Sequence, residues 1–221
     1  MKDRHWPLLL AAIILLLGYQ AICPAQSLAP PKVTVLVKSP AETSTELQIF
    51  CLFNSTQANA LHGSLTEIDE KLRGLLTQIR TPSLFNGDLG ETLLFTPPPG
   101  TIAAKKVLVI GLGDSKSFTP ARMYLVGKIA FREANRLGIA HPFFAPTILD
   151  GGVTGISTGD VAEQFVHGVR DALQTESSLR EKGSSGPLAV QDFTFLAGPT
   201  HAADTQAGIS IALGQGSSAP R

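Results

Sequence analysis

Apolar residues recur along this chain in two rhythms: short unbroken runs, and longer stripes that return every three or four positions. The runs predict strands. They are "VTVLV" from Val33, a segment from Thr45 to Asn54 containing "LQIFCLFN", "ETLLFT" from Glu91, "KKVLVIGLG" from Lys105, "PFFAPTIL" from Pro142 and "LAVQDFTFLAG" from Leu188. The stripes predict helices. Leu65, Ile68, Leu72, Leu75, Leu76 and Ile79 share one face of a helix over residues 64–80, with Ser64 and Glu67 spaced as a capping box. A second helix opens with Thr119 as N-cap and Pro120 at its first position, and closes at Gly138. "VAEQFVHGVRDAL" forms a third, with Val161, Phe165, Val169 and Leu173 inward, and "THAADTQAGISIALGQG" starts a fourth. "SSLREKGSSGP" between them reads as a soluble loop. "ETLLFT" and "KKVLVIGLG" read as two buried strands, the first ended by Pro97 to Pro99 and the second by a glycine turn. Strands alternating with helices in this way predict an α/β fold, a three-layer αβα sandwich with a mixed, mostly buried sheet.

Composition narrows the picture. With 221 residues and 43% hydrophobic content, the chain has material for one good core. Eighteen basic residues balance 18 acidic ones and aromatics are only 6%, which argues against a nucleic-acid partner. Residues 1–27 have the layout of a secretory signal. Lys2 and Arg4 precede an apolar run, and small residues around Ala25 and Ser27 mark the cleavage site. That predicts a secreted or periplasmic protein with one domain over residues 28–215 and a disordered tail at 216–221. The alternative is an N-terminal membrane anchor. Against it, the apolar run reaches at most from Pro7 to Ile22, short of the roughly 20 residues that span a bilayer. Cleavage removes Cys23 and leaves Cys51 alone in an apolar run, where it reads as a small buried hydrophobe.

The stretch "GDLGETLLFTPPPGTIAAKKVLVIGLGDSKSFTPARMYLVGKIA" resembles the N-terminal domain of the leucyl aminopeptidase family of metal-dependent exopeptidases. Gly87, Gly90, Glu91, Thr92, Leu93, Leu94, Lys106 to Val109, Gly111 and Gly113 stand at the family's motif positions. The helix carrying Gly168, the "FTFLAG" strand and the Gly208 helix resemble the later elements of the family's domain. The resemblance runs from about Lys32 to Gln215 and implies a macro-domain-like fold. It also implies that zinc or manganese chemistry belongs to a second, C-terminal domain whose "N-T-D-A-E-G-R" motif is absent here. No catalytic or metal residue transfers to this sequence, and no cofactor is expected.

Residues with chemical potential are scattered. The five histidines His5, His62, His141, His167 and His201 form no metal-binding spacing. Glu163, His167 and Asp171 make a line on one helix, better read as a solvated face than as a metal rung. Gly111 to Lys116 matches neither the P-loop nor the dinucleotide pattern, and reads as a sharp turn after a buried strand. "DGGVTGISTGD" has the better claim to a ligand, because glycines ahead of a helix present amides to an anion. Gly151, Gly152, Gly155, Ser157 and Thr158 are its candidate ligand-binding residues, and the loop has a likeness to the phosphate loop of ADP-ribose-binding macro domains. The leading expectation is an exported, non-catalytic module acting by protein contact or self-association. One alternative is half of a split or truncated aminopeptidase, its catalytic domain encoded elsewhere. The other is a macro-like nucleotide binder.

Overall fold

The computed structural model describes residues 29–54, 60–80 and 84–215, so the signal at 1–27 and the tail at 216–221 lie outside the described residues. Six strands form one sheet in the order β1-β6-β5-β2-β4-β3. They are β1 (Lys32–Val37), β2 (Gln48–Leu52), β3 (Thr92–Phe95), β4 (Val107–Gly111), β5 (Phe143–Ala145) and β6 (Asp192–Ala197). All neighbours are parallel except β3, which pairs antiparallel with β4. The helices are α1 (Gly63–Lys71), α2 (Leu75–Ile79), α3 (Arg122–Arg136), α4 (Thr158–Glu181) and α5 (Ala202–Ala212).

The alternation of side chains along each strand builds two cores, one per sheet face. Phe50, Leu52, Val107 and Val109 pack with Leu65, Ile68, Leu72 and Leu76 of the α1–α2 layer. Ile49, Cys51, Leu108 and Ile110 point the other way, into a larger core with α3, α4 and α5. Both β2 and β4 are buried along their whole length, as strands covered on two faces must be. Beneath α4 the core is aromatic: Phe144 stacks on Phe165 at 3.9 Å, and Phe195 meets both edge-on. The result is an αβα sandwich with a mixed sheet.

Several local expectations change. β3 is an edge strand with Thr92 and Leu94 exposed, so only the second of the two strands read as buried is buried throughout. The helix over residues 64–80 breaks at Arg73 (φ 60°) and Gly74 (φ 80°), which turns α2 so that Leu76 and Ile79 still reach the core. The capping box is absent because both its residues serve distant partners. Ser64 Oγ donates to Asp150, and Glu67 accepts from Ser39 Oγ at 2.6 Å. Thr119 does not cap α3, which begins after Ala121 without a side-chain cap. α4 continues through residues 177–181, expected as loop, because Ser177 is buried there and Glu176 pairs with Arg132 at 3.6 Å.

Glycines set the helix spacing. A Cβ on Gly127 would overlap the Phe165 carbonyl, and one on Gly168 the Tyr124 carbonyl, so α3 and α4 cross backbone to backbone. Gly208 allows the same approach of α5 to the Gly159 carbonyl.

Candidate functional site

Parallel strands carry their connecting loops away from one edge of the sheet, and in open α/β sheets that carboxyl edge is where crevices form. Here β1, β5 and β6 end side by side, and a cavity of about 570 Å³ opens above them. Val37 and Lys38 follow β1, Pro146 to Asp150 follow β5, and Gly198 and Pro199 follow β6. Ser39 and Pro40 contribute from the next turn, Ile156, Thr158 and Val161 from the start of α4, and His201 and Thr205 from α5. Phe195 and Leu196 form part of the floor.

Three local devices hold this site in shape. Thr147 adopts φ 51°, an unfavourable conformation for a β-branched residue. Its hydroxyl donates to the Cys51 carbonyl at 2.7 Å and accepts from the Cys51 amide at 3.0 Å, which continues the β5–β2 ladder through a side chain. Asp150 ties the β5 loop to α1, accepting from Ser64 Oγ while its carbonyl accepts from the His62 amide at 2.9 Å. Third, the start of α4 is closed by the protein itself. Asp204 of α5 accepts from the Gly159 amide and the Thr158 hydroxyl, each at 2.8 Å, and Ser157 Oγ accepts from the Asp160 amide at 3.0 Å. The Gly159 amide, then the Thr158 hydroxyl, hold the Asp204 carboxyl below the usual range.

The glycine-rich loop expected to bind a ligand therefore contributes unequally. Thr158 lines the cavity, and Ser157 caps its own helix. Gly151 is buried, with room for a Cβ denied by Phe53 at 2.6 Å. Gly152 (φ 87°) and Gly155 (φ 75°) have positive φ and nothing within 4 Å of a Cβ position, so they shape the loop's turns. Lys38, Ser39, Thr147, Asp150 and Thr205 were not singled out as site residues by sequence. The residues immediately after each parallel strand were the available signal, whereas no sequence pattern marks Asp204.

Elsewhere, several groups with chemical potential have structural partners. Arg122 Nη1 donates to the Leu112 and Asp114 carbonyls at 2.8 and 2.9 Å, and Nη2 to Ser117 Oγ at 2.7 Å, which seals the Gly111 to Lys116 turn. The Glu91 carboxylate accepts from the amides of Asn86, Gly87 and Asp88 at 3.2, 2.8 and 3.1 Å. His167 pairs with Glu163 at 3.4 Å, but Asp171 turns to Tyr124 at 2.6 Å and Lys128 at 2.8 Å. Burial pushes the Cys51 thiol well above its ordinary value. Among the described residues no three His, Cys, Asp or Glu side chains gather to hold a metal ion. No described helix is long and apolar enough to cross a membrane.

The fold is shared with macro domains. A Trypanosoma brucei macrodomain in complex with ADP-ribose superimposes with a TM-score of 0.57 at 14% identity, covering 82% of this chain and 68% of that one. An Oceanobacillus iheyensis macrodomain mutant gives 0.56 at 12% identity, covering 82% and 92%. A tomato leucine aminopeptidase mutant gives 0.61 at 16% identity, covering 86% of this chain and 38% of that one. The sequence narrows this to one family. Residues 49–182 match the N-terminal domain of the cytosol aminopeptidase family, and the chain belongs to that family. Probable cytosol aminopeptidases of Burkholderia mallei and Burkholderia pseudomallei are 25% identical over 162 residues, or 72% of this chain. The chain spans about a third, 32%, of the length of these relatives.

Proposed function

We propose that this chain is an exported, non-catalytic module of the aminopeptidase family that works by protein contact. The observation that carries the reading is a set of exposed leucines on and beside the edge strand β3. Leu93 and Phe95 pack toward the α1–α2 layer, so Leu94 faces the α3 side by strand alternation. It is 43% exposed, and Leu89 and Leu125 are 45% and 37% exposed. A Cβ on Gly90 would stand 3.5 Å from Leu125, and one on Gly113 would stand 3.4 Å from Leu89, so the two glycine turns lie against these two leucines. Exposed leucines at an unpaired strand edge are a combination that favours association. Self-association through this face is measured by light scattering on the mature chain. Leu94→Lys with Leu125→Glu is expected to give monomers with unchanged melting behaviour. A wild type that stays monomeric at high concentration would remove the support for self-association.

Export is supported by the layout of residues 1–27. N-terminal sequencing of protein recovered outside the cytoplasm is expected to begin after Ala25 or Ser27. A second reading, supported by the family match, makes the chain one half of an aminopeptidase. In that case a metal-binding catalytic half would be encoded nearby and would restore peptide turnover on mixing. The non-catalytic reading expects no hydrolysis of leucyl-p-nitroanilide by this chain alone, with or without manganese.

A further inference from the structure

We propose that the cavity above β1, β5 and β6 is a binding chamber for a small, uncharged, largely apolar molecule. Its volume of about 570 Å³ is in the range that holds such ligands. Its lining surface is mostly apolar, with Val37, Ile148, Ile156, Val161, Phe195 and Leu196 among the residues that supply it, so burial of apolar surface is the main driving force available.

Charge selects against an anion. A glycine-rich loop leading into a 24-residue helix is ordinarily a seat for phosphate, since the first amides of a helix lack partners. At α4 those partners are internal. The Gly159 amide donates to Asp204 at 2.8 Å and the Asp160 amide to Ser157 Oγ at 3.0 Å. The backbone of Thr158 also helps to keep Asp204 ionised. An incoming phosphate would meet a carboxylate where it needs donors. Along the wall, Lys38 and Asp150 oppose one another in sign, with the imidazole of His201 as the third polar group able to carry charge. A molecule without net charge suits that balance.

One polar feature gives direction. Thr205 is 1% exposed overall and stands on the chamber wall, so its side chain borders the space a ligand would fill. A ligand carrying one hydroxyl or carbonyl oxygen has a threonine hydroxyl there to bond with. Pro40, Pro146 and Pro199 stiffen the surrounding loops, so little ordering is needed on binding.

The test uses Nile red, a neutral apolar dye with a carbonyl, titrated into the mature chain. A saturable blue-shifted fluorescence increase is expected at one site per chain. Ala197→Trp fills the chamber from a half-buried wall position and is expected to weaken binding at least about tenfold. Ile156→Trp repeats the measurement from a different segment of the wall if the first variant does not fold. Leu94→Lys, on the β3 edge, should leave dye binding unchanged, which separates this chamber from the contact surface. ADP-ribose is expected neither to displace the dye nor to raise the melting temperature. Absence of saturable dye binding, equal binding by a folded chamber-filling variant, or displacement by ADP-ribose would each overturn the proposal.

Discussion

Two glycine turns stand at the same edge of one sheet, after β4 and after β5, and they do opposite things with their space. At the first, a Cβ on Gly111 would overlap the Asp88 carbonyl, the Gly111 amide donates to the Glu91 carbonyl at 2.8 Å, and Arg122 fills the turn. The motif that marks the family is there a close-packed joint between an edge strand, a loop and α3. At the second, Gly152 and Gly155 face open space, and the loop around them walls a chamber instead of closing one. Glycine permits both outcomes, one through its missing side chain and the other through its freedom at positive φ. A glycine-rich turn after a strand therefore identifies a place where backbone is constrained, and its neighbours decide whether a ligand enters.

Substitution separates the two turns. The largest effect is expected for Gly111→Ala, where a methyl group meets rigid backbone. A loss of about 3 kcal/mol or more is expected in urea denaturation. Gly168→Ala, at the α3–α4 crossing, should cost about 2–3 kcal/mol for the same reason. Arg122→Ala empties the sealed turn of three hydrogen bonds and should cost about 1–3 kcal/mol. Gly152→Ala loses only through its backbone conformation, about 1–2 kcal/mol. Equal losses for Gly111→Ala and Gly152→Ala would erase the distinction between joint and chamber.

The smallest expected effect is the most specific to the second turn. Asp204→Ala removes a cap and should cost about 1 kcal/mol near neutral pH. Because the Asp204 carboxyl titrates lower in the folded protein, its stabilisation is complete above the unfolded carboxyl value of about 3.9. That stabilisation is lost as pH falls through the lower folded value. Thermal melts from about pH 6 to about pH 2.5 should therefore show wild type and Asp204→Asn converging as the medium becomes acid. A difference that stays constant across that range would mean that the carboxylate does not hold α4 to α5.

The contrast also shows how far the linear pattern reaches. Burial of β2 and β4, the inward faces of α1 and α4, and the αβα layering were legible because each follows from side-chain periodicity within one segment. The exposed β3 was not, since a run of leucines has the same composition at an edge as in a centre and strand order is set by other segments. The Ser64–Glu67 pair satisfied a local rule and lost to Asp150 and Ser39, which fold within reach. For the candidate site, the loop at residues 150–158 was visible as glycine spacing. Lys38, Thr147 and Thr205 were not, because they are far apart in sequence and meet only where three strands end together.

By itself, the order of residues determined where most strands and helices form, the inward faces of α1 and α4, and the family motif at residues 87–113. Those properties depend on neighbours a few positions apart. Only tertiary structure decided that one glycine turn is sealed by Arg122, that another borders a chamber, and that Asp204 occupies the start of α4. Each of these joins groups from separate elements, and hydrogen bonding and exclusion of volume act between them only after the sheet has brought their ends together.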